Sequence, residues 1–94
     1  MTNYFWIGSA STSASTAANW NPNGTPAAGD VVIFDASATQ NCVWDIAVPS
    51  SPTLSVDEMI LETNFTHQLL LQTKPRIKGM FLGGVVAAGG GADA

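Results

Sequence analysis

The chain carries one histidine, His67, and one cysteine, Cys42, so a catalytic set built on either has a single candidate. A Ser-His-Asp relay would have to run through His67, and no Gly-x-Ser-x-Gly elbow or comparable nucleophile setting accompanies it. His67 follows the turn Thr63-Asn64-Phe65-Thr66 and reads as a surface residue at a strand start. Cys42 cannot close an internal disulfide and reads as a small buried apolar side chain. Asp30, Asp35 and Asp45 could lend oxygens to calcium, but nothing resembles the Asp-x-Asp/Asn-x-Asp/Asn-Gly loop. Aspartates that flank strands ordinarily cap free backbone N–H groups. Asp45 with Glu62, or Asp57 with Glu58, would suit glycoside hydrolysis only if the two carboxyls faced each other across a cleft about 5–9 Å wide. Adjacent acids on an extended strand point apart, and a chain this short has little room for such a cleft. Gly83-Gly84 and Gly89-Gly90-Gly91 lack the lysine and the strand–helix setting of a phosphate loop. Asn23-Gly24-Thr25 and Asn64-Phe65-Thr66 match the glycosylation sequon, a motif common by chance. No catalytic residue, metal ligand or cofactor is therefore assigned, and an enzyme is not expected.

Charge is sparse and lopsided. Residues 1–73 hold six acids and no lysine or arginine, and all three cations sit at Lys74, Arg76 and Lys78. Nucleic-acid binding needs several cations on one face, so no nucleic-acid partner is expected. The alternation of Lys74, Arg76 and Lys78 places them on one side of an extended segment. They read either as edge-strand lysines that block unwanted strand addition or as a strip that meets an acidic face of a neighbouring subunit. Met1-Thr2-Asn3 has no positive n-region, and the longest apolar run, Met80–Ala88, is far short of the roughly 20 residues of a membrane helix, so neither export nor membrane insertion is expected. The lack of paired cysteines fits folding in a reducing cytoplasm.

The elements that would position these residues are short strands. Tyr4-Phe5-Trp6-Ile7 is a run of strong strand formers stopped by Gly8, with large apolar residues on both faces. Such a strand is covered on both sides, by its own fold or by a neighbour, which makes Tyr4 a candidate interface residue. Residues 9–18 are a low-complexity Ser/Thr/Ala run with no hydrophobic period, expected to be a mobile or surface-following loop. Residues 19–30 are turn chemistry, with Trp20 as an anchor that pins the loop to the core. Further strands are expected at 30–35, 42–46, 54–61 (with a kink at Asp57-Glu58), 68–72 and 76–82, a spacing of about 8–12 residues. The tail from residue 83 is Gly/Ala-rich and expected to be a flexible arm. The expected fold is all-β: one domain over residues 1–82, either a small sandwich or barrel or a short β-solenoid-like unit, followed by the tail 83–94. Trp6, Trp20, Val32, Phe34 and Trp44 are the expected core; Tyr4, Lys74, Arg76 and Lys78 are the candidate interface.

The order aromatic-Trp6-Ile7-Gly8, Ser/Thr/Ala run, Asn19-Trp20, Pro26-x-x-Gly29-Asp30-x-Val32-x-Phe34-Asp35 resembles a module of two kinds of protein. One is structural proteins of tailed phages; the other is bacterial surface proteins with autotransporter-type β-solenoid repeats. The likeness extends loosely through Trp44-Asp45 to about Leu82, although no extended repeat array follows. A module that starts at residue 3 without an export signal, in a very short chain, favours the phage version. The resemblance then implies a virion structural protein: a capsid decoration or cement protein, or the anchoring domain of a head or tail fibre. Its partners would be other virion proteins and further copies of itself, and it would be assembled in the host cytoplasm. The alternative is an adhesin-type module of a bacterial cell surface.

Overall fold

The computed structural model describes residues 2–50, 52–82 and 85–88. Its strands are β1 (Asn3–Trp6), β2 (Trp20–Asn21), β3 (Val31–Phe34), β4 (Cys42–Trp44), β5 (Glu58–Leu61), β6 (Gln68–Leu71), β7 (Gly79–Leu82) and β8 (Val85–Ala88). The one helical element among the described residues is a 3-10 turn, Ala17–Asn19, so the protein is all-β.

The strands form two sheets. The first has the order β2-β1-β3-β5-β7 and the second β4-β6-β8. From β3 onward the chain alternates between them, and each circuit lays one new strand in each sheet beside the last. All of these pairings are parallel and in register. In-register parallel stacking at roughly 4.8 Å brings like residues into columns. Tyr4, Val32, Met59 and Met80 make one column in the first sheet; Cys42, Leu69 and Val86 make one in the second. The period-2 alternation then decides which side of each strand faces the other sheet. Val32, Phe34, Met59 and Leu61 from the first sheet and Cys42, Trp44, Leu69 and Leu71 from the second are all buried in one cluster. Burying a side chain of this size stabilises by about 1.5–3 kcal/mol. The outward column Phe5–Ile33–Ile60 is half-buried, so the strands are apolar on both faces but buried chiefly on one.

Several expected elements differ in detail: the strand expected over 54–61 begins only at Glu58, and Trp20–Asn21, within the expected turn segment, forms β2. The strand expected at 76–82 begins only at Gly79. Pro75 has no N–H to give, and the Arg76 amide and carbonyl turn to Ser55, with Arg76 N–H donating to Ser55 Oγ at 3.0 Å and Ser55 N–H to Arg76 O at 2.8 Å. Val85–Ala88, within the expected flexible arm, instead pairs with β6 as β8; residues 83, 84 and 89–94 of that arm lie outside the described residues. The Ser/Thr/Ala run is not a free loop. Ser13 forms a parallel bridge to Val43, Val43 N–H donates to Thr12 O at 2.7 Å, Ala14 N–H donates to Val43 O at 3.0 Å, and Ala14 is fully buried. The run therefore lies along β4 as a cover strand on the second sheet.

Candidate functional site: the N-terminal cap and the basic segment

At the start of the stack both sheets are covered. β2 runs antiparallel along β1 and pairs Trp6 with Trp20, while Thr12–Ala14 lies along β4. Trp20 is the centre of an aromatic cluster. Its ring lies 5.1 Å from Trp6, 5.8 Å from Phe34, 6.2 Å from Tyr4 and 6.4 Å from Trp44, each edge-on. Edge-to-face geometry suits the ring quadrupoles and adds to the area buried. Trp20 Nε1 donates to Ala14 O at 2.8 Å, which ties the cover strand to the core, and Trp6 Nε1 donates to Gln40 O at 3.0 Å. Trp44 Nε1 is buried with no acceptor among the described residues. Trp6, Trp20, Val32, Phe34 and Trp44 are each at most 1% exposed.

Two polar side chains hold the run in place, and sequence reasoning assigned neither this role. Asn19 is fully buried. Its Oδ1 accepts from the amides of Ala10 and Ser11, both at 2.8 Å, and its Nδ2 donates to Ser11 Oγ at 2.9 Å and Ser13 O at 2.8 Å. Asp45, just past β4, accepts from Ser13 Oγ, from Ser15 N–H at 2.9 Å and from Ser15 Oγ at 3.3 Å. Burial pushes the Asp45 carboxyl up, but these hydrogen bonds outweigh it and hold the group below its ordinary range. A depressed folded-state value stabilises the fold above the unfolded-chain value of about 3.9, and that stability is lost as pH falls through the lower folded value. Asp45→Asn is expected to cost about 1 kcal/mol at neutral pH, a charge-assisted bond discounted for partial solvent access. The gap between variant and native unfolding free energies should close as pH is lowered below about 4. Urea titrations across that range check it; a gap independent of pH would contradict the assignment.

The other described aspartates also cap backbone. Asp30 Oδ1 and Oδ2 accept from the amides of Thr2 and Ala27, both at 3.0 Å, Asp35 accepts from Ser37 N–H at 2.9 Å, and Asp57 accepts from Gly29 N–H at 3.0 Å. Among the described residues no group of three His, Cys, Asp or Glu side chains could hold a metal ion. His67 is half-buried and packs on Phe65, ring centroids 6.5 Å apart. Cys42 is fully buried, and burial, helped by the nearby Asp45 charge, pushes its thiol well up. A shallow cleft of about 280 Å³ opens between Pro26, Ile46, Pro49 and Leu54, and no titratable side chain lines it.

The candidate interface residues divide into two places. Lys74, Arg76 and Lys78 are all exposed and alternate with half-buried Pro75, Ile77 and Gly79 along the approach to β7. Arg76 Nε donates to Pro49 O at 3.2 Å, and Lys78 Nζ lies 3.6 Å from Asp57 Oδ2. Tyr4 is separated from β7 by two strands of the first sheet and packs on Trp20, so it does not join the cations. Its hydroxyl lies against Gly24, where an added Cβ would come within 2.7 Å of it. Gly24→Ala is therefore expected to overpack this contact and cost about 1–3 kcal/mol, read from thermal unfolding.

No family model, curated protein or solved structure matches this chain.

Proposed function

We propose that this chain is a structural building block that works through protein–protein contacts, shaped as the capped first turns of a short β-solenoid. The observation that carries the reading is the asymmetry of the stack. Both sheets are covered at the N-terminal end, and from there the strands add in one direction, parallel and in register. The residues that carry the likeness to phage and surface modules have structural work in this arrangement. Gly8 N–H donates to Asn19 O at 3.1 Å with Gly8 at φ +64°, Asn19 holds the cover strand, and Trp6, Trp20 and Phe34 form the aromatic cluster. Such an assembly suits a virion structural protein, as a capsid decoration or cement protein or a fibre anchor.

Mass spectrometry of purified virions tests the reading. The chain should be present at a fixed ratio to a major structural protein. Recovery only from a bacterial envelope, cut from a signal-bearing precursor, would overturn the virion role in favour of the adhesin-type module.

A further inference from the structure

Asparagine followed by glycine is chemically labile, because the glycine nitrogen meets the asparagine carboxamide with no side chain of its own in the way. The chain has six asparagines, and only Asn23 precedes a glycine. The fold separates the six further. Asn19 is fully buried with both ends of its amide engaged, and bulky Trp20 follows it. Asn21 precedes Pro22, whose nitrogen has no proton to give up. Asn3 lies inside β1 ahead of Tyr4, and Asn41 Oδ1 accepts from Gln68 N–H at 2.9 Å. Asn64 precedes buried Phe65, whose N–H donates to Glu62 O at 3.1 Å. Asn23 sits on a bend with its side chain exposed, and Asn21, Pro22 and Thr25 around it are exposed as well.

The glycine is fixed by the fold. A Cβ at position 24 would come within 2.7 Å of the Tyr4 hydroxyl, so no bulkier residue can shield Asn23 there. Gly24 N–H donates to Ala17 O at 3.2 Å, the carbonyl that also accepts from Trp20 N–H. That is one bond on an exposed bend, the kind that opens locally while the core stays closed.

We propose that Asn23 is a site of spontaneous covalent modification whose product loosens the N-terminal cap. The Gly24 nitrogen attacks Asn23 Cγ. The Cγ–Nδ2 bond breaks, and ammonia leaves with the proton that the Gly24 nitrogen gives up. Water then opens the five-membered imide at either carbonyl, which leaves aspartate or isoaspartate. The sum is one water consumed and one ammonia released, with no change of oxidation state. The imide nitrogen carries no hydrogen, so the bond to Ala17 O is lost. Isoaspartate inserts one more main-chain carbon before Gly24 and adds a negative charge, which displaces Gly24 from the Tyr4 hydroxyl. Tyr4 packs edge-on against Trp20, so the change reaches the aromatic cluster.

The test does not depend on which partner the module meets. The full chain is incubated at mildly alkaline pH, where the attacking nitrogen loses its proton more readily, and its peptides are mapped by mass spectrometry. Position 23 should convert ahead of the other five asparagines, chiefly to isoaspartate. Conversion first at another asparagine, or none at position 23 in the folded chain, would overturn the site. The converted chain, separated by its extra charge, should unfold at a lower temperature than the unconverted one. Asn23→Gln, incubated in parallel, should keep its starting unfolding temperature. Equal unfolding temperatures of converted and unconverted chain, or the same decline in Asn23→Gln, would overturn the link to the cap.

Discussion

Trp20→Ala is expected to lower the unfolding free energy by about 3–5 kcal/mol, a large fraction of the stability of a domain this size. The side chain is 1% exposed and touches Tyr4, Trp6, Phe34 and Trp44, so its removal opens a cavity bounded by four other rings. Those rings are held on three strands, β1, β3 and β4, and cannot all move inward. The deletion also frees the Ala14 carbonyl, which Trp20 Nε1 satisfies. Two costs therefore coincide, a cavity in the core and a slackened cover strand. Trp20→Phe separates them: it keeps much of the volume and loses the hydrogen bond, and should cost clearly less than Trp20→Ala. Chemical denaturation of the three proteins checks this order. Equal stability of Trp20→Ala and the native chain would mean that the cluster is not the centre of the fold.

Asn19→Leu is expected to cost about 3 kcal/mol although it puts an apolar residue at a fully buried position. A hydrophobicity argument alone gives the opposite sign. Four hydrogen bonds decide it, because the substitution strands the amides of Ala10 and Ser11 and the carbonyl of Ser13. Each orphaned buried group costs about 1–3 kcal/mol, reduced here because the partners are only partly buried and water can reach some of them. Asn19→Asp keeps the acceptor, loses both donated bonds and places a charge in the core, so it should be destabilising as well. If Asn19→Leu unfolded at the same denaturant concentration as the native chain, the polar clamp would have no role.

The strands were legible because their residues are of the right kind. Tyr4–Trp6, Val31–Phe34 and Cys42–Trp44 are runs of β-branched, aromatic and apolar side chains between turn residues, and each forms where those properties place it. The cover strand was not legible, for a physical reason. Its hold on the fold comes from side chains elsewhere in the sequence, Asp45 about 30 residues away and Asn19 just beyond the run. Among Ala10, Ala14, Ala17 and Ala18 nothing local singles out Ala14 as the buried one. Asn19 beside Trp20 looks like ordinary turn chemistry until its four partners are seen. β8 was hidden similarly: Val85 and Val86 favour a strand, but Ala87, Ala88 and the surrounding glycines do not, and it is the edge of β6 that aligns them. The alternation of Lys74, Arg76 and Lys78 does predict their shared exposure, but Pro75 and the bonds to Ser55 keep that segment out of the sheet.

The claim on which the rest depends is that the Ser/Thr/Ala run is an ordered cover closing one end of the stack. Native-state hydrogen exchange resolved to single amides tests it most directly. The amides of Ala10, Ser11, Ala14 and Ser15, bound to Asn19, Val43 and Asp45, should exchange slowly and open together with the strand amides of β3 and β5. Exchange of those four amides at the rate of an unstructured peptide, with β3 and β5 still protected, would contradict it.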